Sequence, residues 1–419
     1  MLLIASGAIY AVGCNKTEHE GDTEDYDLKI CPFCCKEFDS EEECLEHQLT
    51  CDPYVQDDSG PFMISLYADS NDAIDAAHWM SQLPRDTRLV NLTIPGLHDA
   101  ATYCYKGVMT PTYIKDQNID YHDAWNKGAR AFDLRLGYDD RNLLKKRSFE
   151  DRCMFFHGDN FFGIMFGLCM MHNFKVDITG HFPTPEQLKG ETMILITKNE
   201  FHPASASRSI LNTFEYFMRR MIDRYGKDVF IEYSPELTLK ECEGRIIIFT
   251  REKTYTEDYS RIGGLPVVPV SYINSFPNDG EAAIEVYKGG QGLHKYSAYV
   301  QDHYNVGSSG TGQTKYTKFK EALAHRKSKA PDAIFFDGMN AVQDKPSWDI
   351  CEFMNDRISR DLAKAKWDAE YEQGLGVVLT DFYGVDDYKH GIFWTTRHFK
   401  GNELARQLVS HNFIRLKNQ

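Results

Sequence analysis

The sequence predicts an α/β fold: a (βα)8 barrel of the TIM type, with room for distortion, behind a small N-terminal module. Three observations predict it. From about residue 77 onward, short β-type runs alternate with longer helical or loop stretches, the pattern of a parallel α/β fold. Eight such runs stand out, at 89–94, 129–136, 153–157, 192–198, 245–250, 297–302, 333–337 and 375–381. Nearly every run ends in a polar or charged group, and a closed parallel barrel aims the carboxyl ends of its strands at one mouth.

Composition bounds the rest. The chain has 419 residues, 42% of them hydrophobic and 26% charged, enough for a packed core and against wholesale disorder. A formal charge of −15 disfavours a nucleic-acid partner, which needs a basic face for its phosphates. It leaves room for a local cationic pocket. No apolar run approaches the roughly 20 residues that span a bilayer.

The organisation predicted along the chain is a signal and tether over 1–27, a finger-like module over 28–55, a linker over 56–76 and the barrel over 77–419. Met1 to Gly13 is apolar and rich in small residues, and Cys14 ends it before an acidic stretch. This resembles a bacterial lipoprotein signal, which implies export and a lipid anchor on Cys14, or release as a secreted protein. The stretch lacks a basic residue ahead of the apolar run, and Ala11 stands where a Leu is usual.

Cys31, Cys34, His47 and Cys51 follow, with two, twelve and three residues between them. The spacing resembles a zinc finger with Cys in the last ligand position. Ser40 with Glu43 reads as a capping box that starts the ligand helix, and His47 and Cys51 share one face of it. A module this small needs metal to fold, so a structural zinc is expected. Disulfides are the competing reading, because an exported protein meets an oxidising space.

Within the barrel, helices are expected over 210–225 and 347–371. In the first, Leu211, Phe214, Phe217, Met218, Met221 and Ile222 recur at helical spacing and read as core packing. The apolar run at 89–94 is expected to stop at a Pro95-Gly96 turn, with His98 and Asp99 straight after it. Later runs end at Asp133 and Arg135, His157, Lys198 and Glu200, Arg251, Asp302 and Tyr304, Asp337, and Asp381. Asp133 and Arg135 are two apart, so they face one side of their strand. Two histidines among carboxylates and one guanidinium can take a proton, give a proton and hold negative charge.

Five short motifs occur in one order: Ile94-Pro95-Gly96-Leu97-His98-Asp99, Gly128-Ala129-Arg130-Ala131-Phe132-Asp133-Leu134-Arg135, Phe156-His157-Gly158, Glu191-Thr192-Met193-Ile194 with Lys198 and Glu200, and Val300-Gln301-Asp302-His303-Tyr304. Together they resemble the catalytic X domain of bacterial phosphatidylinositol-specific phospholipase C, over about residues 80 to 385. The resemblance implies His98 as general base oriented by Asp381, and His157 as general acid oriented by Asp99. It implies Arg135, steadied by Asp133, as the charge that replaces calcium, so that catalysis needs no metal. It implies that Lys198, Arg251 and Asp302 hydrogen-bond inositol hydroxyls and that Tyr304 stacks on the ring, with Glu200 lining the pocket or pairing with Lys198. The partner implied is a membrane phospholipid, phosphatidylinositol or an inositol glycolipid, and the protein is expected to be a monomer.

Two rivals stand beside this reading: a metal-dependent barrel phosphodiesterase acting on another head group, and a catalytically retired surface binding protein. Phe161 to Met171, an apolar stretch after His157, reads as buried packing, with a membrane-dipping loop as the alternative.

Overall fold

The computed structural model describes residues 38–48, 60–66, 73–104, 115–138, 148–157, 170–201, 207–252, 269–277, 279–288, 294–307, 311–341, 348–364, 366–390 and 395–417. Cys14, Cys31, Cys34, Cys51 and Phe161 to Cys169 lie outside these residues. Within the N-terminal module, helix α1 (Glu41–Gln48) begins where the capping signal places it, with the Glu43 N–H donating to Ser40 Oγ at 3.2 Å. His47 on that helix packs against Phe38, ring centroids 4.8 Å apart. No helix among the described residues is long and apolar enough to cross a membrane.

A hairpin, β1 (Met63–Ser65) and β2 (Ala73–Asp75), leads into the barrel. The barrel strands are β3 (Thr93–Leu97), β4 (Ala131–Tyr138), β7 (Thr192–Phe201), β9 (Arg245–Thr250), β10 (Ser271–Asn274), β11 (Gly280–Lys288), β12 (His294–Asp302), β13 (Ile334–Gly338) and β14 (Gly376–Thr380). Between them come β5 (Cys153–Phe156), β6 (Met170–Asn173) and β8 (Phe230–Ile231). The nine form a closed ring in the order β3-β14-β13-β12-β11-β10-β9-β7-β4, which returns to β3. Every pairing in the ring is parallel except those of β11, which runs antiparallel to β10 and β12. The ring is therefore a TIM-type barrel with one antiparallel strand inserted.

Three details differ from the sequence expectation. Cys153–Phe156 is a strand, but it pairs antiparallel with the end of β4 and stands outside the ring. β10 supplies the eighth parallel strand instead. Residues 89–91 form a 3-10 turn, and the strand begins at Thr93 and runs through Pro95 and Gly96. Pro95 is tolerated because its carbonyl still accepts from Arg130 N–H at 2.8 Å, while it has no N–H to leave unpaired. Gly96 is required by close approach: a Cβ there would lie 2.9 Å from Ala131 Cβ and 3.0 Å from Leu379 Cδ2. The β3–β4 closure holds only Gly96↔Ala131 and Leu97↔Phe132, against seven partners between β4 and β7.

Helices α2 (Tyr121–Asn126), α3 (Ser207–Tyr225), α4 (Gly312–Lys329), α5 (Trp348–Leu362) and α6 (Gly401–Lys417) accompany the barrel. On α3 the expected stripe is core: Phe214, Phe217, Met218 and Met221 are fully buried. Each such side chain contributes about 1.5–3 kcal/mol. The interior of the barrel is apolar, filled by residues such as Ile94, Ile196, Phe249, Val300, Phe336 and Val377.

Helix α6 attaches to the start of β3. Asn412 Oδ1 accepts from Thr93 N–H at 2.8 Å, and its amide donates to the Thr93 carbonyl at 2.8 Å. His411 Nδ1 lies 2.7 Å from Thr93 Oγ1. Near the same end, the fully buried pair Arg130–Glu191 ties the barrel to its approach segment. Arg130 donates to Glu191 at 2.8 Å and to the carbonyls of Ala76 and Ala77. Glu191 in turn accepts from the Met80 and Ser81 N–H groups.

Candidate active site

The carboxyl ends of the strands bring six of the expected residues together. His98 and Asp99 follow β3, Asp133 and Arg135 lie on β4, His157 follows β5, and Asp381 follows β14. His98 N–H donates to the Thr380 carbonyl at 3.1 Å, which carries the ladder one residue past the strands and sets the ring beside Asp381. His98 Nδ1 lies 3.0 Å from Asp381 Oδ1. The opposite nitrogen, Nε2, faces Asp99 Oδ2, Arg135 Nη2 and Asn340 Nδ2, each at 3.3 Å. His98 thus turns Nδ1 to Asp381 and Nε2 away from it, and the residue lines the cleft.

Asp99 adopts a left-handed backbone with φ of +39°. Asp tolerates this conformation better than most residues, and such positions cluster at functional sites. The turn aims its carboxylate inward, where Oδ1 lies 2.6 Å from Arg135 Nε and Oδ2 lies 3.0 Å from His157 Nε2. Asp133 Oδ2 accepts from Arg135 Nε at 3.0 Å and Nη2 at 2.8 Å, as the two-residue spacing on one strand predicts. Glu200 Oε2 bridges Arg135 Nη1 at 3.3 Å and Lys198 Nζ at 2.8 Å, so it pairs with Lys198, and it is not among the cleft-lining residues.

Electrostatics follow from crowding. Burial would lower the His98 imidazole, but the Asp99, Asp381 and Asp116 carboxylates outweigh it and raise its pKa to about 10. Burial would likewise lower His157, which Asp99, Asp116 and Glu200 raise to about 9. Burial would raise Asp99, yet Arg135 and both imidazoles hold it well below the usual carboxylate range. Among the described residues Asp116 has no guanidinium partner. Burial first, then Asp381, push it up to about 8.

The cleft beside His98 is lined by Arg135, Arg251, Phe276, Asp302 and Asn340 among others. Arg251 is half-buried and stacks over the Phe276 ring at 3.5 Å. Asp302 reaches the cleft from the end of β12. Gly338 keeps that corner open, since a Cβ would lie 3.2 Å from Asp302 Oδ1 and 3.0 Å from Asn340 Oδ1. The strand end is fixed from below by a buried chain. Lys315 on α4 donates to Gln301 at 2.9 Å, and Gln301 donates to Asp337 at 2.5 Å. Lys198 is about one-third exposed beside Glu200 and is not among the cleft-lining residues. Tyr304 is exposed and does not line the cleft, whereas Phe276 does.

Sequence reasoning missed Asp116, Phe276 and Asn340. None ends an apolar run: Phe276 follows a four-residue strand, Asn340 stands two past β13, and Asp116 lies in a polar connection. Among the described residues, three sets of His and Asp in the site stand close enough to share one cation: His98, Asp99 and Asp133; His98, Asp116 and Asp381; and Asp99, Asp116 and His157. In the first set, Arg135 already supplies a positive charge against both Asp99 and Asp133.

Fold and site together define a TIM-type barrel with two imidazoles, several carboxylates and a guanidinium gathered at one mouth. The chain is 24% identical over 327 residues to the 1-phosphatidylinositol phosphodiesterase of Listeria monocytogenes, covering 74% of this chain and 82% of that protein. It is 24% identical over 194 residues to the 1-phosphatidylinositol phosphodiesterase of Staphylococcus aureus strain Newman, covering 45% of this chain and 54% of that one. Among solved structures, a double mutant of the phosphatidylinositol-specific phospholipase C of Staphylococcus aureus superposes with a TM-score of 0.54 at 18% identity, over 79% of this chain and 96% of that chain. A fluorinated form of the same enzyme gives 0.53 at 18% identity, over 79% and 97%. No protein-family model matches the chain.

Proposed function

We propose that this chain is a phosphatidylinositol-specific phospholipase C. It cleaves the phosphodiester of phosphatidylinositol, or of an inositol glycolipid, into diacylglycerol and a cyclic inositol phosphate. The observation that carries the reading is the meeting of His98 and His157 on either side of one Asp99–Arg135 pair, beside a cleft. His98, oriented by Asp381, takes the proton of the inositol 2-hydroxyl as that oxygen attacks phosphorus. Arg135, clamped by Asp133 and Asp99, meets the growing negative charge with a planar fork of donors. His157 gives its proton to the leaving glycerol oxygen. Each proton-transfer role is typically worth about 10²–10⁴ in rate.

Arg251 and Asp302 hold inositol hydroxyls in the cleft, with Lys198 at its rim. Phe276 is placed to meet the apolar face of the ring, the task that the resemblance gives Tyr304. Catalysis runs without calcium, and the protein works as a monomer on an exported, lipid-facing surface, anchored through Cys14 or released. Zinc on Cys31, Cys34, His47 and Cys51 folds the N-terminal module; metal analysis of the full chain that finds no zinc, with these cysteines oxidised, removes that part of the proposal.

The second reading is a metal-dependent phosphodiesterase for another head group. The His and Asp sets within reach of one cation support it. Phosphorus NMR of the purified full chain with phosphatidylinositol vesicles, with and without EDTA, separates the two. A cyclic phosphate signal that survives EDTA is the expected result. Activity that disappears with EDTA selects the second reading, and folded protein that forms no product in either tube sinks the first.

A further inference from the structure

The side of the site that meets the leaving group holds a carboxylate with no role in the steps above. Asp116 is 6% exposed and fixed through its backbone. Its N–H donates to Thr102 Oγ1 at 3.1 Å, and the next N–H, of Gln117, donates to the same oxygen at 3.0 Å. Its carbonyl accepts from Phe382 N–H at 2.6 Å. The Gln117 amide then clips the ends of β3 and β14 together, donating to the His98 and Thr380 carbonyls at 2.8 and 2.7 Å. A connection tied down at this many points delivers the Asp116 side chain to one place.

That place is the acid. Asp116 Oδ2 lies 3.3 Å from His157 Nε2, and Asp99 Oδ2 lies 3.0 Å from the same nitrogen. The other ring nitrogen, Nδ1, is buried with no hydrogen-bond partner among the described residues. Asp99 alone is a poor anchor for this ring, because its Oδ2 also stands 3.3 Å from His98 Nε2 and its Oδ1 faces Arg135 Nε at 2.6 Å. Asp116 Oδ2 is closer to His157 than to His98, whose Nδ1 is 4.0 Å away. A carboxyl group accepts through an oxygen lone pair whether or not it also carries a proton.

We propose that Asp116 is a positioning residue for protonation of the leaving group: its buried Oδ2, which makes no hydrogen bond among the described residues, stands with Asp99 beside Nε2 of His157 and keeps the proton on that nitrogen, so that His157 donates from Nδ1. The inference rests on the phospholipase reading for the identity of the leaving oxygen. As the bond from phosphorus to that oxygen breaks, its electron pair stays on the oxygen, which takes the Nδ1 proton. His157 is left neutral, with its Nε2 proton retained between the two carboxyl groups.

The test compares two inositol phosphodiesters that differ only in the leaving alcohol, one an alkyl alcohol and one p-nitrophenol, which leaves without needing a proton. Asp116→Ala is expected to lose at least about tenfold in kcat on the alkyl substrate, part of the usual worth of an acid, and less than about threefold on the aryl one. Asp116→Asn keeps an acceptor oxygen in the same place and recovers most of the loss. Asp116→Ser stands in should the Ala variant not fold. Equal losses on both substrates, or no loss on either, overturn the proposal. Nitrogen-15 NMR adds a readout independent of turnover: neutral His157 is expected as the Nε2–H tautomer in the wild type, and an Nδ1–H tautomer there overturns the assignment. Wild-type protein that shows the Nε2–H tautomer yet cleaves neither substrate overturns the phospholipase reading instead, and leaves Asp116 assigned to His157.

Discussion

Arg135 decides whether this site can work without a metal. Its guanidinium is held by Asp133 through two donors and by Asp99 through a third contact, which fixes the direction of the fork. A lysine would bring the charge but not the plane. Arg135→Lys is therefore expected to lower kcat by about 10²–10³ while KM changes little, as for loss of a preorganised donor in a transition state. Asp381 makes a different prediction. It is one of the carboxylates that raise His98 above the 6.5 of a free imidazole. A base must lose its proton before it can act, so the kcat/KM profile is expected on the alkaline side of 6.5. Asp381→Asn removes a raising charge and moves the rising limb to lower pH; an unmoved limb would detach Asp381 from His98. At this scale, the residues that end apolar runs were readable in the sequence, because the strand directs them. Asp116 was not, since its polar connection is brought to the barrel mouth by tertiary hydrogen bonds to Thr102 and Phe382 and by the clip that Gln117 makes.

The elements were legible where their period was clean. The stripe on α3 and the apolar runs of β7, β9, β13 and β14 are buried as their patterns predict. β10 and β11 were missed for a physical reason: Gly280–Lys288 carries Glu281, Glu285 and Lys288 among small residues, and its partly exposed side chains dilute the strand pattern. The run at 153–157 was placed in the ring because an apolar segment ending in a histidine looks the same whether its partner is parallel or antiparallel. The C-terminal helix α6 adds nothing to the chemistry but carries a stability prediction. Asn412 satisfies both backbone groups of Thr93, and Asn412→Ala leaves them buried and unpaired. A loss of about 1–3 kcal/mol in urea unfolding is expected for each group stranded in this way. Turnover per folded molecule should stay constant, because the change lies at the end of β3 opposite His98.

Across the whole molecule, the ring of strands is fastened unevenly. β3 and β4 share two register partners, while β3 and β14 share five. The two strands with the short join are those that carry His98, Asp99, Asp133 and Arg135. The amides of β3 and β4 next to the join are expected to exchange with deuterium faster than those of β7 and β9, by mass spectrometry of the native protein; uniform protection around the ring would contradict this. A hoop is as tight as its clasp, and here the ion pair of Asp99, just past β3, with Arg135 on β4 spans the join. A phosphate seated between Arg135 and His98 would span the gap like a pin. Occupancy of the site and integrity of the barrel thus become one quantity, and a non-cleavable inositol phosphate should raise the melting temperature and slow exchange most at the join.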